Sequence, residues 1–235
     1  SVGDHAPAYL INLYLATGDD NYAKFLEDTF DTICDHFPDY GYSPFMNEKF
    51  FDDWSRDLEW GIHQARCVVG HNLKVAWNLT RMHSLMPKES YKTFAHQIAD
   101  AIPGAGCDNQ RGGWYDMMER TLKDGEENYR RVWHDRKAWW QQEQGILAYY
   151  IMAGVYDDKP EYLNYAREGS AFYNGWFLDY EAGGIYFNVL ANGQPYSLGS
   201  ERGKGSHSMA GYHSFELCFL SCLLYTSPSP RDKHR

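Results

Sequence analysis

His71, Gln142 and His213 recur at equal intervals along the chain, and His5 precedes His71 close to the same phase. Imidazole is the side chain whose charge changes near neutral pH, so histidine suits removal of a proton beside a carbonyl. Inversion at such a carbon also needs an acid on the opposite face, and two histidines across a cavity are the minimal set. If these positions fall on equivalent helices ringing one axis, their side chains converge on one mouth and form a site. The competing reading is that repeat-equivalent polar residues merely satisfy helix ends. No HxxxH spacing occurs, so the pattern calls for no metal. Paired carboxylates would suit glycoside hydrolysis. Asp52, Asp53, Asp116 and Glu143 are available, but their phases in the repeat disagree, and they read as solvated loop acids.

The elements that position these residues read as helices. Tyr9, Leu10, Leu13 and Tyr14 keep helical spacing and stop at Thr17-Gly18-Asp19. Further helices are predicted over Asn21–His36, Val68–Met86, Ser90–Ile102, Lys137–Tyr156, Glu161–Phe177 and Ser206–Tyr225, seven in all. Between them lie Gly- and Pro-marked loops with short strands at most, such as Ile185 to Val189. Gly41-Tyr42, Gly112-Gly113-Trp114 and Gly183-Gly184-Ile185 also begin at equal intervals, each after the second helix of a pair. Glycine before an aromatic suits a tight turn with positive φ. A period of roughly 70 residues fits two helices and a long loop, hence stacked helical hairpins with one helix of each pair inside.

Composition narrows the rest. Of 235 residues, 43% are hydrophobic, enough for a folded core. Aromatics reach 17%; they suit wide helix interfaces and also flat sugar faces. The net charge of -10, with no basic run in the folded part, argues against nucleic acid and anionic membrane and for a neutral or weakly charged small substrate. No apolar stretch approaches the roughly 18 residues of a membrane span. Five scattered cysteines without a CxxC pair read as reduced thiols, and the expected location is cytoplasmic. The segment Leu223 to Asp232 resembles translated sequencing-adapter read-through. Residues 223–235 are therefore expected to form a disordered, non-native tail beyond a domain of residues 1–222.

Four motifs carry a family resemblance. Asp4-His5 through Asn12-Leu13-Tyr14 to Thr17-Gly18-Asp19 resembles a His-Met-His-x-x-Glu-Ala helix, with Ala8 in place of the glutamate. Gly70-His71 through Trp77 and Leu79 resembles Gly-His-x-Ile-Glu-x-x-Trp-x-Leu, with Lys74 at the glutamate. Lys137 to Gln144 resembles Lys-x-Trp-Trp-x-Gln-x-Glu, with Gln142 matching and Gln144 at the glutamate. Lys204 through Tyr212-His213 to Glu216 resembles Lys…Tyr-His-x-x-Arg, with Glu216 at the arginine and Ser208 where some members carry tryptophan. These are motifs of the N-acylglucosamine 2-epimerase superfamily, which includes cellobiose 2-epimerases and mannose or sulfoquinovose isomerases.

The resemblance implies an all-α (α/α)6 toroid, of which this chain is the C-terminal half. Six units of about 70 residues need roughly 420. It implies a carbohydrate 2-epimerase or aldose-ketose isomerase working through an enediolate, without cofactor, on a mono- or disaccharide. His213 and His71 are then the acid/base groups, and His5 assists ring opening or holds a hydroxyl. Gln142 binds a hydroxyl, Trp139 or Trp140 packs on the sugar or in the core, and Arg66 is the candidate donor to the enediolate oxygen. Lys74 is expected to repel an imidazolium at His71 if the two are close. Alternatives are a glycoside hydrolase or lyase on the same toroid, or an inactive sugar-binding member. Half a ring can be inactive alone, and its open faces invite homodimerisation.

Overall fold

Gly18, at φ +66°, breaks the first helix, and the Asp19 carboxylate restarts the next by accepting from the Asn21 backbone N–H at 2.8 Å. This gives a hairpin of α1 (His5–Thr17) and α2 (Asp20–His36). The structure, a computed structural model, describes residues 3, 5–60, 66–206 and 208–226. Strand β1 (Arg66–Val68) leads directly into α3 (Val69–Leu85), which is followed by α4 (Glu89–Gly106) and β2 (Met117–Glu119). The same order repeats in β3 (Arg136–Ala138), α5 (Trp139–Val155), α6 (Glu161–Trp176) and β4 (Asn188–Leu190), and α7 (Tyr212–Thr226) follows. The described residues thus hold the seven helices that periodicity predicts. None is long and apolar enough to cross a membrane.

Burial separates inner helices from outer ones. Most of α3 and α5 is buried all round, whereas α2 and α4 bury one stripe: Leu26, Phe30 and Ile33 in α2, Tyr91, Phe94, Ile98 and Ile102 in α4. Helix α3 packs on α4 and α5, and α5 packs on α6 and α7. The first helices of the α3–α4 and α5–α6 pairs therefore line the inside, the arrangement of an incomplete α/α toroid. Trp77, Tyr149, Leu73 and Ile11 belong to the main core between these layers.

The loops are tied down by repeated devices. Gly41, Gly112 and Gly183 all have positive φ, of +90°, +82° and +75°, as the glycine spacing predicts. In the second and third turns an aspartate caps the loop: Asp108 accepts from Gln110 and Arg111 N–H, Asp179 from Glu181 and Ala182 N–H. A lysine then staples each loop, Lys137 Nζ to Asp108 and the Gly112 carbonyl, Lys204 Nζ to Asp179 and the Gly183 carbonyl. Antiparallel pairs β1–β2 and β3–β4 draw each returning loop over the start of an inner helix, with Cys67 opposite Met118 and Lys137 opposite Val189.

Three boundaries differ from expectation. The last helix starts at Tyr212 rather than Ser206; Gly205 and Gly211, poor helix formers, flank the stretch between. The short strand covers Asn188–Leu190, and Ile185 only bridges to Leu178. Helix α7 continues to Thr226, with Leu224 packed on the core, so the expected break at residue 223 falls inside a helix. Residues 227–235 of the expected tail lie outside the described residues.

Candidate active site

The first turns of the inner helices meet at one pocket and carry the candidate residues. His5 opens α1, His71 is the third residue of α3, Trp139 and Trp140 open α5, and His213 is the second residue of α7. All five line one pocket of about 280 Å³, together with Tyr212, Asp116, Arg136 and Glu201. Trp140 binds the group together. Its ring centroid is 5.4 Å from His71 and 5.3 Å from His213, stacked on the latter. His213 also meets Tyr212 at 3.9 Å and His5 at 6.2 Å, and the Tyr212 hydroxyl is hydrogen-bonded to His5 Nε2.

Gly70 makes room for that tryptophan. A Cβ at this position would stand 2.6 Å from Trp140 Cζ3 and 2.7 Å from Gln141 Cγ, so only glycine lets the indole lie on the α3 backbone. Trp139 is almost fully buried against Phe187, at 4.5 Å, and stands nearly perpendicular to His213.

One turn deeper lies a polar layer. Lys74 Nζ is 3.3 Å from the Glu216 carboxylate, and the Gln144 amide nitrogen is within 3.3 Å of the same carboxylate and 3.0 Å of His213 Nδ1. The three departures from the family motifs on α3, α5 and α7 therefore form one cluster. Lys74 thus pairs with Glu216. The partner of His71 Nδ1 is the Glu48 carboxylate, 2.8 Å away on the loop after α2. Lys74 and His71 thus each have a carboxylate beside them.

Two sequence-predicted binding residues are elsewhere. Gln142 is fully buried; its amide accepts from Trp114 N–H and donates to the carbonyls of Trp114 and Ala138, holding the loop turn. The strand-to-helix starts (66 and 136, 69 and 139) repeat with a slightly shorter period than the glycine turns (41, 112 and 183). Asn72 is the true counterpart of Gln142, since its amide likewise accepts from Met46 N–H and donates to the Val68 carbonyl. Arg66 pairs with Glu119 across β1–β2 and does not line the pocket. Its counterpart at the start of β3, Arg136, does, and pairs there with Asp116 at 2.5 Å and Glu201 at 3.2 Å.

The acids also differ from expectation. Asp52 and Asp53 are exposed, but Asp116 and Glu143 are buried rather than solvated. Burial pushes the Asp116 carboxyl up against the pull of Arg136, and pushes Glu143 to about 7 although Ser214 and Tyr173 hydroxyls donate to it at 2.6 Å. Sequence reasoning missed Glu48, Asp116, Arg136 and Tyr212 as site residues. Arg136 carried a usable signal in its place one strand-to-helix repeat after Arg66, and Tyr212 in its place beside His213 in the last motif. Among the described residues no three His, Cys, Asp or Glu side chains converge in a metal-binding geometry.

Residues 5–213 match the family described as N-acylglucosamine 2-epimerase (GlcNAc 2-epimerase). No curated protein matches the chain in sequence. Among solved structures, cellobiose 2-epimerase from Bacillus thermoamylovorans superposes with TM-score 0.73 at 19% identity, over 92% of this chain and 50% of that one. A D-mannose isomerase gives 0.75 at 21% identity, over 95% and 54%. A glycoside hydrolase family 76 mannosidase from Bacteroides thetaiotaomicron gives 0.63 at 15% identity, over 97% and 54%. The chain thus spans about half the length of these structures, and at such identities they share its fold.

Proposed function

The chain belongs to the N-acylglucosamine 2-epimerase family, and from that premise we propose that it is the proton-transfer half of a carbohydrate epimerase or isomerase that works through an enediolate on a mono- or disaccharide. The observation that carries this reading is the grouping of His5, His71 and His213 around Trp140 in one pocket. An open-chain sugar packed on the Trp140 face would place its C1–C2 carbons near both flanking imidazoles. One imidazole removes the proton from C2, the electron pair of that C–H bond forms the C1=C2 bond, and the carbonyl π pair moves onto O1. The negative charge that develops is favoured by the N-termini of α1, α3, α5 and α7, which all meet at this pocket, and by Arg136. His5 and Tyr212, hydrogen-bonded to each other, are placed to relay a proton during ring opening. Five free cysteines fit a reducing, cytoplasmic setting.

The placement of the acids disfavours hydrolysis. The two carboxylates that line the pocket, Asp116 and Glu201, both pair with Arg136, so they share one side instead of flanking a scissile bond. Incubation of the chain with D-mannose or cellobiose in deuterated water tests the proposal. Deuterium appearing at C2 or C1 of recovered sugar supports it; release of reducing ends from a mannoside or cellobiose without exchange would replace it with hydrolysis.

A further inference from the structure

Gln144 determines which nitrogen of His213 carries a hydrogen. Its side-chain oxygen lies 2.7 Å from the Trp77 indole nitrogen, and an indole N–H only donates. Its amide nitrogen lies 3.3 Å from Glu216, a carboxylate that accepts while paired with Lys74. Two independent neighbours thus give the amide the same orientation, and the NH2 group is what faces His213 Nδ1 at 3.0 Å. Nδ1 therefore accepts, and the ring hydrogen sits on Nε2. A doubly protonated ring would set Nδ1–H against the amide N–H. His71 is arranged the opposite way. Its Nδ1 faces the Glu48 carboxylate at 2.8 Å, which calls for Nδ1–H; in the neutral ring the lone pair is then on Nε2.

We infer that the two imidazoles have fixed and different duties: His71 is the base, His213 is a neutral Nε2–H donor to a substrate oxygen held so by the positioning residue Gln144, and the reaction is therefore an aldose-ketose isomerisation. This rests on the proposed function and narrows it. His71 Nε2 takes the C2 proton, the C2–H electron pair forms the C1=C2 bond, and O1 takes up the charge under the His213 Nε2–H. The proton on His71 exchanges with solvent while the enediolate stands, and His71 then delivers a proton to C1; the O2 hydroxyl gives up its proton as C2=O forms, and O1 ends protonated. In net terms C2 loses one hydrogen and C1 gains one, O2 loses one and O1 gains one, with no oxidant or reductant. Inversion at C2 would instead need an acid able to protonate carbon from the opposite face. A neutral imidazole is too weak for that, but it serves well as an electrophile polarising a carbonyl, as in other aldose-ketose isomerisations.

The test is nitrogen NMR of the chain labelled with 15N-histidine, the His213 signals assigned by their loss in His213→Asn. The expected resting ring has Nδ1 bare and Nε2 protonated. A proton on Nδ1 overturns the inference, and it does so whether or not any sugar is turned over, so the tautomer and the activity fail separately. Gln144→Glu should move the hydrogen to Nδ1, since a carboxylate accepts. Should the added buried charge prevent folding, Gln144→Met should leave a mixture of the two tautomers, and an unchanged Nε2–H form would remove Gln144 as the positioning residue. With D-mannose deuterated at C2 as probe, a ketose as first product is expected, and its 2-epimer as first product would overturn the single-base assignment.

Discussion

Lys74 and Glu216 face each other at 3.3 Å one helical turn beneath the imidazole layer, and they stand at the two positions where the family motifs carry glutamate and arginine. The Lys74 side chain is wholly buried. A buried pair of this kind is costly to break from one side, because the remaining charge loses its partner in a low dielectric.

Lys74→Met or Glu216→Leu alone is therefore expected to lower unfolding free energy by about 3–5 kcal/mol. The double replacement should cost much less than the sum, and a Lys74→Glu, Glu216→Lys exchange should recover most of the loss. Denaturant unfolding of the four proteins measures the coupling. Additive losses would show that the pair does not act as a unit.

Gly70→Ala should disturb the pocket without touching a histidine. The added Cβ meets Trp140 Cζ3 at 2.6 Å, on an indole packed against backbone. Overpacking of this order costs about 1–3 kcal/mol, and a displaced Trp140 should raise the KM for sugar in the protein that still folds. An unchanged KM would remove Trp140 as the sugar platform.

Glu143 gives a pH dependence with a definite sign. Burial raises its carboxyl from 4.5 to about 7 in the folded chain. Between those values the folded state holds a proton that the unfolded state has lost, so stability falls as pH rises through that window. Glu143→Gln, which keeps a neutral side chain near Tyr173 and Ser214, should remove the slope and stabilise the protein above pH 7 by about 3 kcal/mol at most. Thermal unfolding from pH 4 to 8 checks this; a wild-type stability that rises across the window would contradict it.

The helices were legible because their apolar residues recur at helical spacing, and the loop turns because only glycine accepts the positive φ found at Gly112 and Gly183. The grouping of His5, His71 and His213 in one pocket was legible for a related reason, since inner helices start in register. It was misread at Gln142 because the loop turns and the helix starts repeat with slightly different periods. A shift by a single position turns a helical side chain by about 100°, enough to move an amide from the pocket to the loop behind it. Glu48 was illegible: it lies on an irregular loop, where no periodicity assigns direction, and only the folded chain brings it 2.8 Å from His71. The polar layer of Lys74, Gln144 and Glu216 appeared in sequence as three separate losses of charged partners. Proximity alone shows that they satisfy one another.

His71 is the most direct point of attack on the whole account. Its replacement by alanine leaves the core of α3 in place, because the side chain is partly exposed at the helix start. Deuterium incorporation from solvent into D-mannose should then disappear in His71→Ala while the unfolding transition stays that of the wild type. Incorporation at the wild-type rate in that folded variant would contradict proton transfer by the histidine pocket.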